Sequence, residues 1–310
     1  MASDQPRVLS QREWPARLLD LGEAPGALYL SGSLPGPPFV AIVGTRRPSV
    51  DGLAFAHELA GDLARAGVCV VSGGALGIDA AVHRGALDAG GRTLVVAPAG
   101  WNKPFPPELA SLFQEVVDRG GGYLSLCAPD DVATRARFFS RNACLVALAH
   151  VVIVVEAGYR SGARNAAKHA RALGRKLFVV PSAPWIGSGR GCIAELKGGA
   201  ALLESAKDAL AYLKEANLHV LGPQLGLPQL GAQLGLPQLG LPQLGAQASA
   251  PTPPGPIAVL AAIQAGANTY DAVCDATGLE PPAVQRAVFD LRVAKSVHLD
   301  PSGFLLARKP

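Results

Sequence analysis

The stretch FVAIVGTRR, residues 39–47, decides the fold, because five apolar residues lead directly into a glycine, a threonine and two arginines. A run that is apolar at every position indicates a β-strand buried on both faces, as in a parallel sheet. Similar runs recur along the chain: VCVVS at 68–72, TLVVAP at 93–98, VVIVVE at 151–156 and LFVVP at 177–181. Helix-length segments separate these runs, so the sequence predicts an α/β domain with helices on both faces of the sheet.

The chain is predicted to have four parts. A short N-terminal extension, 1–34, precedes a doubly wound, Rossmann-like parallel sheet domain over 35–213. Residues 214–256 are predicted to be a linker, because the segment 221–247 repeats Leu-Gly-Leu-Pro-Gln units without a charge. Frequent glycine and proline disfavour a helix or a central strand. The repeated leucines could alternatively form a docking strip.

The fourth part, 257–310, resembles a small winged-helix domain. Helices are predicted at 257–265, 270–276 and 282–295, and a turn at 300–303 separates two short apolar strands. The third helix has one apolar face, formed by Val284, Ala287, Val288 and Leu291. Residues 255–310 hold five basic and five acidic side chains. This neutral balance favours an auxiliary or protein-contact role over the reading of DNA sequence.

Positive charge is concentrated in one segment of the chain. Residues 134–176 contain nine basic residues and one acid, a net charge of +8. The remaining 19 basic and 23 acidic residues carry a net charge of −4. A basic segment in an otherwise acidic protein is a candidate binding surface for a polyanion.

Several protein classes do not fit the sequence. Residues 1–10 lack the apolar stretch of a secretory signal, and the longest apolar run, 143–155, is too short to span a bilayer, which takes about 20 residues. Five scattered cysteines form no Cys-x-x-Cys pair. We therefore expect a cytoplasmic protein with no membrane contact, no structural metal and reduced cysteines.

Two glycine-containing loops follow predicted strands. The first combines flexible backbone, a hydroxyl and two guanidinium groups at the carboxyl edge of the sheet, where such folds bind ligands; its candidate site residues are Gly44, Thr45, Arg46 and Arg47. The second contributes Ser72, Gly73, Gly74 and Gly77. Neither loop has the pattern of a nicotinamide or ATP site, so no cofactor is predicted. A plain turn with exposed arginines is the alternative for the first loop, and Asp79, after the second, could bind a sugar or base edge or simply cap a helix.

Two further elements lie in the basic segment. An aromatic pair at 138–139 stands beside an arginine and an amide, a combination suited to stacking bases and gripping phosphate; the candidate residues are Phe139, Arg141 and Asn142. We expect one of the two rings to be buried and the other available. The last element contributes Ser161 and Gly162 and then a helix whose basic residues share one face, namely Arg164, Lys168, Arg171 and Arg175. Such a face could also be merely solvated.

Taken together, these elements resemble the DprA/Smf family (DNA processing protein A). The motifs that carry the resemblance are Ile42–Arg46, Ser72–His83, Phe138–Asn142, Val152–Ala157 and Ser161-Gly162. Leu76 departs from the pattern, since arginine is frequent there. The resemblance implies a homodimer that binds and protects single-stranded DNA without sequence preference and loads the RecA recombinase during natural transformation. A single-strand-binding protein is a further candidate partner.

An enzymatic alternative uses a related fold. Nucleotide phosphoribohydrolases need a glycine-rich phosphate loop and a placed carboxylate. Their characteristic Pro-Gly-Gly-x-Gly-Thr element is absent from this sequence. Glu156, Asp79 and His83 are the side chains left for such chemistry, and nothing in the sequence pairs them. We therefore expect a binding protein rather than an enzyme; a winged-helix regulator with a ligand-sensing domain is a third alternative.

Overall fold

A computed structural model describes residues 6–22, 25–218, 254–267, 269–280, 283–284, 287–288, 291, 296–299 and 305–307. The chain divides into two compact units, Met1–Gly226 and Leu227–Pro310. The repeats at 221–247 lie outside the described residues. No helix in the described ranges is both long enough and apolar enough to cross a membrane.

The described residues of the first unit form one sheet of nine strands. Their bounds are β1 Arg7–Val8, β2 Tyr29–Gly32, β3 Phe39–Val43, β4 Cys69–Ser72, β5 Thr93–Ala97, β6 Gly122–Ser125, β7 Val151–Val154, β8 Lys176–Val179 and β9 Ala201–Leu202. The strand order is β1-β2-β6-β5-β4-β3-β7-β8-β9. Strands β3 to β9 are parallel, whereas β1 and β2 add antiparallel pairs at one edge.

The chain changes direction across the sheet between β3 and β7. From β3 it winds outward through β4 and β5 to β6, and it then returns to β7 beside β3 and winds the other way. The two central strands end level with each other, since Val43 pairs with Val154. Their carboxyl-end loops therefore border the crevice where doubly wound folds bind ligands.

In the described part of the first unit, seven α-helices cover the two faces of this sheet. They are α1 Val50–Arg65, α2 Ile78–Asp88, α3 Ala110–Asp118, α4 Arg135–Leu148, α5 Gly162–Ala172, α6 Arg190–Lys197 and α7 Ala206–Glu215. Alternate residues of β3 point to opposite faces: Ala41 joins a core with α4 and α5, and Ile42 joins a core with α1, α2 and α7. The predicted α/β fold with a doubly wound parallel sheet is confirmed.

The apolar runs predicted β3, β4, β5, β7 and β8. Strand β6 was not predicted, because Gly122 and Ser125 interrupt its apolar character. The N-terminal segment, predicted as an extension over 1–34, contributes β1 and β2 to the sheet and packs Trp14 and Leu18 into its core.

The second unit contains α8 Pro254–Gln264, α9 Tyr270–Thr277 and a hairpin of β10 Val297–Leu299 with β11 Leu305–Ala307. Helix α8 begins three residues before the predicted boundary. Residues 283, 284, 287, 288 and 291 are helical, and the predicted apolar face of this segment is buried, as Val284, Ala287, Val288 and Leu291 show. The rest of the predicted third helix lies outside the described residues, so the winged helix stays a prediction.

Candidate nucleic-acid groove

An open groove of about 580 Å³ lies at the carboxyl edge of the sheet, and we call it the carboxyl-edge groove. Eight of the predicted site residues line it: Gly44, Thr45, Arg46, Phe139, Arg141, Asn142, Ser161 and Gly162. A smaller pocket of about 190 Å³ shares Arg46 and Arg141 with the groove and adds the predicted Gly73 and Gly74. The structure thus brings ten residues from four separate motifs together.

The other six predicted residues line neither cavity: Arg47, Ser72, Gly77, Arg164, Lys168 and Arg171. Ser72 is buried, and its hydroxyl donates to the carbonyl of Ile42, 2.6 Å away, so it joins two strands below the groove.

Two glycines let the first two loops meet. Gly77 has a φ of 83°, a conformation that favours glycine, and a Cβ there would clash with the Thr45 carbonyl oxygen. A Cβ at Gly44 would overlap the side chain of Ile78. With this space free, the Ile78 amide donates to the Thr45 carbonyl at 3.2 Å, and the Thr45 amide donates to the Glu156 carbonyl at 2.7 Å. These bonds fix the loops after β3, β4 and β7 against one another.

Arg141 forms a charged wall of the groove, although only 5% of its side chain is exposed. Its guanidinium takes the space above Gly73, where a Cβ would overlap it. The nearest carboxylate oxygen, on Asp79, is 3.9 Å away, and Nε has no hydrogen-bond partner among the described residues. Burial lowers the pKa of Arg141, but a guanidinium stays protonated in proteins. The groove therefore contains a desolvated cation that is only weakly compensated.

Asp79 is buried, lines the carboxyl-edge groove and also bonds to the glycine loop. Its carboxylate accepts a hydrogen bond from the Ala75 amide at 3.2 Å, across the glycine turn. Burial raises the pKa of Asp79, and the nearby Arg141 counteracts that rise. Asp79 thus stabilises the glycine turn, and its contact with a sugar or base edge stays an open alternative.

Aromatic rings and guanidinium groups alternate in the groove. The Arg46 guanidinium carbon lies 4.9 Å from the centre of the Phe138 ring, and that of Arg141 lies 5.7 Å from it. Phe105 meets the same ring edge-on at 5.6 Å. Phe139 is 50% exposed. The expectation that one ring would be buried is wrong, because Phe138 is only partly buried among these groups rather than packed in the core.

Polar side chains hold the helix ends around the groove. Thr134 caps α4, and Ser161 caps α5, each hydroxyl accepting a backbone amide hydrogen at 3.4 Å. The Asn142 amide donates to the Gly162 carbonyl at 3.4 Å and to Asn165 at 3.1 Å. Asn142 therefore ties α4 to the start of α5, so both of its donor bonds are already used within the protein.

Three of the four basic residues in the predicted row, Arg164, Arg171 and Arg175, form ion pairs within the protein, and Arg175 lies just beyond the end of α5. Arg164 and Arg171 both pair with the buried carboxylate of Glu195 on α6, at 2.6 and 2.5 Å. Arg175 pairs with Asp20 at 2.6 Å. Among the described residues, Lys168 is the member of the row without an ion pair, and it is exposed. Contact of Arg164, Lys168 and Arg171 with DNA stays a prediction.

The side chains considered for catalysis have structural partners. Glu156 accepts hydrogen bonds from the amide and hydroxyl of Ser49, at 3.0 and 2.9 Å, at the start of α1. His83 is fully buried and meets the Thr93 hydroxyl at 2.8 Å, and burial lowers its pKa to about 3. Asp79 lines the groove, whereas Glu156 and His83 do not. In the described part of the chain, no three metal-binding side chains converge.

The sequence interpretation missed Phe105, which lines both cavities from the loop after β5. One signal was available, because this phenylalanine lies between prolines just beyond a predicted strand, at the same sheet edge as the other motifs. Glu195 was also missed, since nothing local connects it to arginines 24 and 31 residues away.

Comparison with known proteins identifies the family. A family model for DNA recombination-mediator protein A matches residues 6–214. The chain belongs to this family, DprA. A DNA processing protein DprA of Mycobacterium tuberculosis is 38% identical over 202 residues, which cover 64% of this chain and 52% of the relative. The chain thus spans about half the length of that relative. DprA of Streptococcus pneumoniae is 33% identical over 64% of this chain and 70% of its own length.

Solved DprA structures share the fold. DprA of Streptococcus pneumoniae superposes with a TM-score of 0.62 at 30% identity, over 67% of this chain and 74% of that one. DprA of Helicobacter pylori, whose structure is described for its single-stranded DNA binding mode, gives a TM-score of 0.61 at 29% identity. That match covers 69% of this chain and 98% of the H. pylori chain. In both comparisons the matched share of this chain is close to the length of its first unit, Met1–Gly226.

Proposed function

We propose that this DprA-family chain binds single-stranded DNA in the carboxyl-edge groove, without sequence preference, and acts as a binding protein rather than an enzyme. The observation that carries the proposal is Arg141, a buried cation on the groove wall with one distant carboxylate and, among the described residues, an unpartnered Nε. A phosphate at this place would supply the missing partner, and charge-assisted contacts of that kind are strong.

The groups around Arg141 favour an unpaired strand. Phe139 exposes half of its surface beside Arg46 and Arg141, and a base can stack on such a ring only when it is not held in a duplex. Every base has a π-face, so stacking reads no sequence. Asn142, the side-chain amide best placed to read a base edge, already bonds to Gly162 and Asn165. The site therefore fits a non-specific binder.

The relatives support the same assignment. The H. pylori protein is described as binding single-stranded DNA, and it matches the fold over almost its whole length. By family membership we extend the proposal to protection of the strand, loading of the RecA recombinase in natural transformation and recombination, a homodimeric state and a cytoplasmic location. A single-strand-binding protein is a further proposed partner. Acceleration of RecA filament formation on coated single strands tests the loading step directly.

Two adjacent arginines provide a sharp test of the groove. Arg46 and Arg47 are both exposed and lie in one loop, but only Arg46 lines the cavities. Arg46→Ala should weaken single-strand binding about tenfold, the effect of one partly desolvated charged contact of about 1.5 kcal/mol. Arg47→Ala should change it less than about threefold. Dissociation constants from fluorescence anisotropy at moderate salt provide the measurement.

Phe139→Ala tests stacking separately from charge. It should weaken binding about 5- to 100-fold, whereas Phe139→Tyr, which keeps the ring, should stay close to wild type. If Arg46→Ala and Arg47→Ala lose equal affinity and Phe139→Ala has no effect, DNA is held by general electrostatic attraction and not by the groove. That result would contradict the proposal. Circular dichroism on each variant confirms that the fold is retained.

A further inference from the structure

A second group of exposed aromatic and basic side chains lies on the loops that follow β7 and β8 and at the start of α6, and we call it the Trp185 cluster. It consists of Tyr159, Arg160, Trp185, Ile186 and Arg190. Trp185 is 84% exposed and Tyr159 63% exposed, the two most exposed aromatic rings of the first unit's described residues. Such exposure of both rings is unusual, because aromatic side chains usually bury a large apolar area in a core.

The cluster sits on loops that leave the same sheet edge as the groove. Tyr159 and Arg160 follow β7, and Trp185 and Ile186 follow β8, so both loops start at carboxyl ends of parallel strands. Since β7 lies beside β3, whose loop provides Arg46, the order β3-β7-β8 carries the edge outward from the groove.

The two loops are fixed to each other by backbone contacts. The Gly191 amide donates to the Ala157 carbonyl at 2.7 Å, and a Cβ at Gly191 would clash with the carbonyl oxygen of Gly158. The start of α6 therefore packs directly on the loop after β7. Tyr159 in turn lies two residues before Ser161, which lines the groove. The cluster is thus continuous with the groove wall through a short, anchored loop.

We propose that the Trp185 cluster binds further nucleotides of the same single strand, with bases stacked on Trp185 and Tyr159 and phosphates held by Arg160 and Arg190. This inference rests on the proposed function and extends its footprint. The arginine side chain at 164 already places its guanidinium carbon 4.8 Å from the centre of the Tyr159 ring, so one ring of the cluster pairs with a cation, as in the groove.

The composition favours nucleic acid over a protein partner. Two exposed arginines accompany the apolar side chains, and alternating rings and cations match how single strands are bound without sequence preference. A stable protein interface buries about 800 Å² per partner. On these two loops, the exposed large apolar side chains are Tyr159, Trp185 and Ile186, a small patch for a protein contact of that size.

Trp185 also provides its own optical probe. The other two tryptophans are packed: the Trp14 ring nitrogen donates to the Leu9 carbonyl, and Trp101 contacts the Tyr123 ring at 5.1 Å. Tryptophan fluorescence of the full chain should therefore be quenched when a base stacks on Trp185. The probes are oligothymidylates of about 6 and about 20 nucleotides, chosen because single-strand sites span about 4–16 nucleotides.

Trp185→Ala should weaken binding of the longer oligonucleotide about 5- to 100-fold, the range expected for one stacked base, and change the shorter one less than about twofold. Trp185→Phe should keep the affinity but lose most of the quenching. Leu19→Ala is the matched control, because Leu19 is also a highly exposed apolar residue, at 69%. Its segment lies at the opposite edge of the sheet, where Arg17 donates to the carbonyl of Ala149 just before β7.

Unchanged affinity of Trp185→Ala for both lengths, or equal losses for both, overturns this inference and leaves the groove intact. If Trp185→Ala changes the oligomeric state of the protein in solution but not its affinity for DNA, the inference is overturned and the cluster is a contact with a second copy of the chain. Failure of the wild-type chain to bind either oligonucleotide contradicts the groove itself.

Discussion

The guanidinium of Arg141 fills the space where a side chain at Gly73 would stand. Gly73 comes from the loop after β4 and Arg141 from α4, so the missing side chain in one motif makes room for the buried cation of another. In the sequence these are two separate signals, a glycine turn and a basic segment. In the fold they form one feature, a guanidinium that faces a glycine loop and lines the groove.

Gly73→Ala should therefore displace Arg141 without removing any charge. We expect single-strand affinity to fall at least about tenfold, because a charged hydrogen bond to phosphate at a partly desolvated site is worth about 1.5–3 kcal/mol. The free energy of unfolding should fall by about 1–3 kcal/mol, the usual effect of inserting atoms into a packed site. Gly36→Ala, where nothing lies within 4 Å, should leave both quantities unchanged. Anisotropy titrations and urea denaturation provide the measurements, and wild-type affinity in Gly73→Ala would contradict the role of Arg141.

The basic residues of α5 should separate into two kinds. Arg164→Ala leaves the buried Glu195 with one ion pair fewer, so it should lower the free energy of unfolding by about 1–3 kcal/mol. Lys168→Ala breaks no ion pair among the described residues and should leave stability unchanged while weakening single-strand binding a few-fold. Thermal unfolding and binding, measured on both variants, distinguish the two. The reverse pattern would show that the ion pairs of Glu195 do not hold α5 and α6 together.

Arg46→Ala and Lys168→Ala should weaken binding additively when combined. Both side chains are exposed, and Lys168 lies outside the cavities, so the pair shares no partner in the described part of the protein. Dissociation constants for the two single variants and the double variant give the coupling. If the double variant binds single-stranded DNA as tightly as Arg46→Ala alone, Lys168 does not contact the DNA.

Acid should destabilise the first unit through His83. Burial lowers its pKa from an ordinary 6.5 to about 3, so the unfolded chain binds a proton that the folded chain excludes. The stabilisation is complete above about pH 6.5 and is lost as the pH falls towards 3, with a slope of at most about 1.4 kcal/mol per pH unit. His150, with a pKa lowered to about 4 by burial, adds to the effect.

His83→Asn keeps a donor near the Thr93 hydroxyl but removes the titrating group. Its free energy of unfolding should depend less steeply on pH between about 6.5 and 5.5, a range about one unit or more above the pKa of ordinary carboxylates. Urea unfolding across this pH range provides the measurement. Parallel curves for the wild type and the variant would show that His83 protonates in the folded state.

The sequence predicted the fold where burial dominates. Strand β3 is apolar at all five positions and β7 at all four, so both could be predicted as strands buried on two faces. Strand β2 was not predicted, because Ser31 and Gly32 interrupt its apolar character and its antiparallel partner β6 lies 90 or more positions away in the chain. Such a pairing has no local signal.

The site was predictable where it follows from strand ends. Loops that leave parallel strands meet at one edge, which is why Gly44–Arg46 and Ser161-Gly162 line one groove. Charge compensation was not predictable. Helical spacing places Arg164 and Arg171 on one face, but only the packing of α6 against α5 puts Glu195 between them. A row of basic residues in a sequence therefore shows which side chains could bind an anion, and the folded structure decides which of them are already neutralised by an ion pair.

The second unit should contribute little to single-strand affinity. A chain ending after residue 218 keeps α7, whose Leu213 is buried in the sheet core, and removes a C-terminal part whose residues 255–310 carry no net charge. We expect its dissociation constant to lie within about threefold of the full chain. Loss of nearly all binding, in a truncated protein that remains folded and keeps its oligomeric state, would move the DNA site to the second unit.

The most direct test of the groove compares labelled single-stranded and duplex oligonucleotides of equal length across a salt series. Stacking on Phe139 requires unpaired bases, so the single strand should bind more tightly at every salt concentration, and mixed sequences should bind alike. Its log affinity should fall linearly with log salt, by about 0.7 for each phosphate neutralised. Equal or tighter binding of the duplex, or a flat salt response, would contradict the account.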